Sequence, residues 1–169
     1  MRKGACEAFA CHTRPLTSTL TSGTTYDQIT RQTAFAAAEA VASQMPGAPM
    51  CFISAAEAGW TSDPFILPDF LKNYLVAKRA VEARLQEMGD RGQLRPIVMR
   101  PSLIWSPSRV ASLPAVAAFA LGNALGIPGI DKPVLVDTLA RAVVHSLRTP
   151  GVSGIKGFNE MEELAAQLK

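Results

Sequence analysis

This chain of 169 residues has only two histidines and three cysteines to offer as imidazole and thiolate metal ligands. Cys6, Cys11 and Cys51 are odd in number and match no zinc spacing, and His12 and His145 stand far apart, so reduced thiols and no metal are expected. Charge is sparse as well. Only 18% of residues are charged and the net charge is +3. Lys and Arg are scattered rather than gathered into a patch, which argues against a nucleic-acid partner. Long apolar runs are missing too: residues 113–125 are interrupted by Pro114, Gly122 and Asn123, short of the ~18–20 apolar residues of a membrane span. No transmembrane segment is expected, and the chain reads as soluble. What is present is a hydrophobic content of 48%, which suits a globular core. The length suits one domain at the rough figure of ~100–200 residues per domain.

The first 25 residues are rich in Ser and Thr, contain Arg2, Lys3 and Arg14, and carry one acid, Glu7. That composition is seen in organelle transit peptides and points to a mitochondrial location, with the cytoplasm as the alternative. Ala8-Phe9-Ala10-Cys11 has the length and flanking turn residues of a buried strand. Thr25-Tyr26-Asp27-Gln28 has the form of a capping box. The helix it opens is expected to show an apolar face of Ile29, Thr33, Ala36, Ala37, Ala40 and Val41 and to end at Pro46-Gly47. Met50-Cys51-Phe52-Ile53-Ser54 reads as a parallel strand buried on both faces.

Residues 57–68, with Gly59, Pro64 and Pro68, read as a loop at that strand's carboxyl end, where open α/β sheets place ligands. Asp69 is the expected cap of the next helix and Gly89 its stop. Arg95-Pro96-Ile97-Val98-Met99-Arg100 reads as another strand, closed by Pro101. Residues 111–125 read as an apolar helix, with Ser112 as cap and Pro114 in its first turn. Residues 133–136 are a short extended piece, Asp137 caps a helix over residues 138–147, and Asn159 with Glu162 opens a terminal helix through Leu168. This alternation of strands and helices predicts α/β: a parallel sheet with helices packed on it.

Tyr74 and Lys78 lie four residues apart on the helical pattern with Leu71, Leu75, Val81 and Leu85. At 1.5 Å per residue they are ~6 Å apart along the axis and on one face. The spacing fits two readings. Phenol and ammonium act at a common site, or the Tyr stacks on the core with the Lys stem snorkelling beside it. Arg100 and Asp137 read as a surface ion-pair partner and a cap rather than ligand contacts. Trp105 either lines a pocket or covers core. Cys11-His12 has no identifiable third group for nucleophilic chemistry.

Taken together, Phe52-Ile53-Ser54-Ala55-Ala56, Tyr74-Leu75-Val76-Ala77-Lys78, Met99-Arg100-Pro101-Ser102-Leu103-Ile104-Trp105 and Asp131-Lys132-Pro133-Val134-Leu135-Val136-Asp137 resemble, in order and spacing, the second half of an atypical (extended) short-chain dehydrogenase/reductase. The resemblance runs from about Ala8 to the end. It is to the mitochondrial group that includes the NAD(P)-binding accessory subunit of respiratory complex I and a fungal protein linked to coenzyme Q synthesis. It implies a partial Rossmann-like parallel sheet flanked by helices, lacking the N-terminal glycine-rich βαβ unit.

On that resemblance Tyr74 handles a proton at a substrate carbonyl or alcohol, Lys78 holds the nicotinamide ribose and lowers the tyrosine pKa, and Ser54 orients the substrate oxygen. Pro101 and Ser102 contact the cofactor. In many members the hydroxyl follows one or two residues later, where this chain has Ala55 and Ala56. The implied cofactor is NAD(P), although the chain is read as lacking both Gly-x-x-Gly-x-x-Gly and Gly-x-Gly-x-x-Gly turns for its pyrophosphate. The implied function is that of a degenerate member, an accessory or assembly factor in mitochondrial respiratory or quinone metabolism. The alternative is an NAD(P)-dependent oxidoreductase or epimerase using the Tyr/Lys pair, seen as a truncated gene product. A protein partner completing the sheet and a mitochondrial complex are the expected associations, and an exposed apolar sheet edge is expected with them.

Overall fold

The computed structural model describes residues 27–60, 67–108, 113–125 and 132–168. The run Ala8-Phe9-Ala10-Cys11, Thr25, Ser112 and Asp131 lie outside them. A single π-helical stretch, Asp27–Gln32, leads into helix α1, Thr33–Gln44. Strand β1 is Pro49–Ile53, followed by a 3-10 turn over Ala56–Gly59 and helix α2, Asp69–Asp90. Strand β2, Arg95–Met99, precedes the two-residue strand β3, Ile104–Trp105, and helix α3, Leu113–Ala124. Strand β4, Val134–Leu135, passes directly into helix α4, Val136–Arg148; strand β5, Gly154–Lys156, and helix α5, Phe158–Gln167, end the chain.

The fold is α/β, with a parallel three-stranded sheet in the order β1-β2-β5 and helices on both sides. Period-2 alternation along the strands explains the layering. Ile97 and Met99 face one way, into a cluster with Leu139 and Ala142 of α4 and Met161, Leu164 and Ala165 of α5. Val98 faces the other way, against Ala38 of α1 and Val81, Leu85 and Met88 of α2. Strand β1 repeats the pattern, with Cys51 and Ile53 on the first cluster and Met50 and Phe52 on the second. Arg95 ties the layers together at the sheet's entry end: its guanidinium donates to the Ser146 and Leu147 carbonyls, each at 3.0 Å, and to that of Val152. These are the last carbonyls of α4 and the turn into β5, groups a helix leaves without internal partners.

Several local expectations need correction. The inward face of α1 carries Ala34, Phe35, Ala38, Val41 and Ala42, while Ile29, Thr33, Ala36, Ala37 and Ala40 are exposed. A helix of alanines has little to orient it by itself, and here the one large side chain, Phe35, goes inward. Strand β1 is an edge strand with half-buried side chains, because among the described residues nothing pairs with its outer side. Asp69 is the first residue of α2 rather than its cap and pairs with Lys72, while Asp137 lies in the first turn of α4 within 3.7 Å of Arg141. Helix α2 runs one residue past Gly89, and the left-handed turn that follows is made at Gly92, φ 69°. At Gly89 a Cβ would stand 2.6 Å from the Pro96 ring, so the glycine serves close packing instead. Helix α5 opens at Gly157, whose N–H donates to the Glu160 carboxylate at 2.8 Å. Strands β3 and β5 have no counterpart in the sequence reading.

Helix α3 has no charged residue. It turns Phe119 and Gly122 inward and Ala117, Ala118 and Leu121 to solvent. No helix among the described residues is long and apolar enough to cross a membrane.

Candidate functional site

The pairing of β1 and β2 continues past both strands. Ser54 N–H donates to Met99 C=O at 2.7 Å and Ala56 N–H to Pro101 C=O at 2.9 Å. This ladder sets Ser54-Ala55 beside Pro101-Ser102 at the carboxyl ends of two parallel strands, where α/β sheets leave a crevice. Helix α2 brings Leu71, Tyr74 and Leu75 to the same place, and Ile104 and Phe119 close the other side. The result is a cavity of about 490 Å³. Four of the five residues singled out from the sequence, Ser54, Tyr74, Pro101 and Ser102, line it together.

Lys78 does not line this cavity. Its ammonium donates to the Ile53 carbonyl at 2.6 Å and stands 4.6 Å from the centre of the Phe52 ring and 5.4 Å from that of Tyr74. Successive residues of a parallel strand send their backbone groups to opposite neighbours. Since Ser54 N–H points to β2, the Ile53 carbonyl points to the outer edge of β1, and Lys78 covers that edge.

Burial holds the Lys78 pKa below its ordinary 10.5, with the charge of Glu82 opposing the shift. In the interval between the folded and unfolded values the unfolded chain binds a proton that the folded chain does not, so stability rises with pH there. Urea unfolding of the wild type and Lys78→Met at about pH 7 and about pH 10 checks the sign. The wild type is expected to gain on the variant at the higher pH, and a constant difference would remove this assignment.

Two features missed in the sequence hold the cavity's wall. Arg100 is no surface partner: its Nε and Nη2 reach the two oxygens of the buried Glu82 carboxylate at 3.0 and 2.5 Å. Glu82 lies four residues beyond Lys78, an acid beside the α2 apolar seam, and that position was the available signal. Arg79 donates through Nε to Ala58 C=O at 3.1 Å and through Nη2 to Glu57 C=O at 3.4 Å, pinning the 3-10 turn that carries Glu57 and Trp60 to the cavity. The turn approaches so closely that a Cβ on Gly59 would stand 2.9 Å from Arg100 Nη1. Trp60, not Trp105, is the tryptophan of this cavity. Trp105 lines a separate hollow with Ser106, Ser108 and Val136.

Inside the cavity wall, the Ser54 and Ser102 hydroxyls are both buried and have no hydrogen-bond partner. An unsatisfied buried hydroxyl costs about 1–3 kcal/mol, so the two serines weaken the folded chain at this end of the sheet.

No protein-family model matches this chain, and no curated protein is detectably similar to it in sequence.

Among the described residues no strand-to-helix turn carries more than one glycine. One Gly-x-x-Gly-x-x-Gly spacing does exist, contrary to the sequence reading, at Gly151, Gly154 and Gly157. It spans the turn before β5, the strand itself and the start of α5 instead of one strand-to-helix turn. The N-terminal amide it would offer is already taken by Glu160. Gly47 and Gly92 precede β1 and β2, at the opposite end of the sheet from Ser54 and Ser102, and Gly154 opens β5 level with Ile97 in mid-ladder. The hollow of about 540 Å³ beside Gly157, Lys132 and Asn123 has that same carboxylate on its wall. Burial raises the Cys51 thiol from 9.0 to about 11, which keeps it protonated and unreactive at neutral pH. Among the described residues no cluster of His, Cys, Asp and Glu is grouped to hold a metal ion.

Proposed function

We propose that this chain is a degenerate short-chain dehydrogenase/reductase-like protein with a partial Rossmann-like sheet. On this reading it keeps the family's oxygen-binding cavity without the dinucleotide's phosphate cradle, and acts as an accessory or assembly factor in mitochondrial respiratory or quinone metabolism. The observation that carries the reading is the convergence of Ser54, Tyr74, Pro101 and Ser102 on one cavity at the ends of β1 and β2. Those residues come from three of the four segments that resemble the family. Among the described residues no strand pairs with the outer side of β1, and α3 turns an uncharged surface to solvent; both features support a protein partner.

One observation favours the second reading, an NAD(P)-dependent oxidoreductase or epimerase. Tyr74 and Lys78 share one face of α2, with ring and ammonium 5.4 Å apart. NADPH fluorescence titration separates the two. The accessory reading expects no saturable binding up to about 1 mM NADPH, a free energy near −4 kcal/mol, and co-purification of the tagged chain from mitochondria with a respiratory or quinone-synthesis assembly. Tight NADPH binding with steady turnover by the isolated chain would contradict it.

A further inference from the structure

We propose that Ser106 is a phosphorylation site, read by a proline-directed protein kinase, and that its phosphate seats on the uncapped N-terminus of α4. Trp105-Ser106-Pro107-Ser108-Arg109 sets a hydroxyl before a proline, with a cation three residues beyond the hydroxyl. Each position carries a reason for recognition. Proline brings no N–H, so it suits a kinase groove that offers that position no acceptor, and a guanidinium pairs bidentately with a carboxylate on the kinase. Residues 91–130 contain no Asp or Glu, so no sequence neighbour competes for Arg109. The chain's other Ser/Thr-Pro pair, Thr149-Pro150, is the internal contrast. It is followed by Gly151 and Val152, and its hydroxyl is engaged with the His145 ring at 3.2 Å.

The acceptor is also within reach of a second protein. Pro107 and Ser108 form an exposed turn directly after β3, and the hydrogen bond between the Ser106 and Ser108 hydroxyls, 2.8 Å, lies at the surface. In the transfer the Ser106 oxygen attacks the γ-phosphorus of ATP held by the kinase. The bond from that oxygen to phosphorus forms, the bond to ADP breaks, and the hydroxyl proton passes to a carboxylate of the kinase.

Where the phosphate lands follows from register. Ile104 pairs with Val134 and Trp105 with Leu135, in parallel. The residue level with Ser106 is therefore Val136, the first of α4, and a strand spacing of about 4.8 Å brings the two together. Ser106, Ser108 and Val136 share one hollow of about 340 Å³. Helix α4 has no side-chain cap there, because Leu135 holds the cap position. Its first N–H groups lack an acceptor within the helix, and its dipole favours an anion at this end. Asp137 in the same turn opposes a second negative charge, but it is 81% exposed and stands 3.7 Å from Arg141. That screened carboxylate is outweighed by charge-assisted hydrogen bonds from the backbone to the phosphate. The effect reaches the larger cavity as well, since Ile104 lines both spaces.

The test incubates the full chain with Mg²⁺-ATP and a recombinant proline-directed (cyclin-dependent) kinase, maps phosphate by tandem mass spectrometry and follows thermal unfolding. Ser106 is expected to be modified and Thr149 to stay unmodified. Ser106→Ala should abolish the signal, Ser108→Ala should leave it, and Pro107→Ala should slow it about tenfold, the effect of an N–H left unpaired in the kinase groove. The phosphoprotein should melt ~2–4 °C above the untreated chain, a gain that phosphatase removes and about 1 M NaCl reduces. Absence of phosphate on Ser106, or a rate indifferent to Pro107, overturns the site. Phosphate on Ser106 with an unchanged or lower midpoint overturns its seat on α4.

Discussion

Glu82→Ala is expected to lower folding stability by about 3 kcal/mol, a larger loss than any ordinary surface change produces. The carboxylate is 7% exposed and holds Arg100 with two hydrogen bonds, at 3.0 and 2.5 Å. Deleting it strands a guanidinium that is packed against Gly59 and must either stay unpaired or swing outward. Because the Arg100 side chain retains some contact with solvent, the cost falls at the lower end of the roughly 3–5 kcal/mol typical of a broken buried pair. Replacing both partners, Glu82→Met with Arg100→Leu, should recover most of the loss, since the pair's attraction is largely offset by the dehydration of its charges. Urea denaturation of the two single variants and the double variant measures this. A Glu82→Ala loss within about 0.5 kcal/mol of zero would mean that the pair is solvated. The consequence reaches function because Arg100 immediately precedes Pro101-Ser102 and Glu82 lies two turns beyond Tyr74 on α2.

Ile97→Ala is expected to cost about 4 kcal/mol and Ile97→Val about 1 kcal/mol. Ile97 is wholly buried at the middle of the central strand, between Cys51 and Gly154 in the ladder and against the α4/α5 cluster. Paired strands on both sides prevent the backbone from collapsing into the space that truncation leaves. Leu121→Ala on the outer face of α3 is the matched control, since the 61% exposure of Leu121 leaves little burial to lose. The same denaturation series reads all three. A small Ile97→Ala cost would show that the sheet centre is loosely packed and that the α4/α5 layer is not held by this cluster.

The sequence made the strongest elements legible because each has an undiluted period. Helix α2 has its seam of Leu75, Val81 and Leu85, and β1 and β2 are compact apolar runs bracketed by Pro or Gly. Strand β5 was illegible since Gly154-Ile155-Lys156 carries one apolar residue and is a strand only because β2 offers it a ladder. The caps misread at Asp69 and Asp137 share a cause: an acid near a helix start is as comfortable in the first turn as at the cap. In the site, Tyr74 was suggested by its helical spacing from Lys78, and Ser54, Pro101 and Ser102 only by the resemblance of their segments to the short-chain dehydrogenase/reductases. The wall they face could not be named, because Trp60 and Phe119 are 59 residues apart and meet only through tertiary packing. Lys78 shows the limit of spacing. Its position beside Tyr74 follows from the helix, whereas the direction of its ammonium follows from the edge of β1.

The most direct measurement is NADPH fluorescence titration of the isolated chain. The account predicts no saturable binding up to about 1 mM cofactor, whereas tight binding with steady turnover would contradict it.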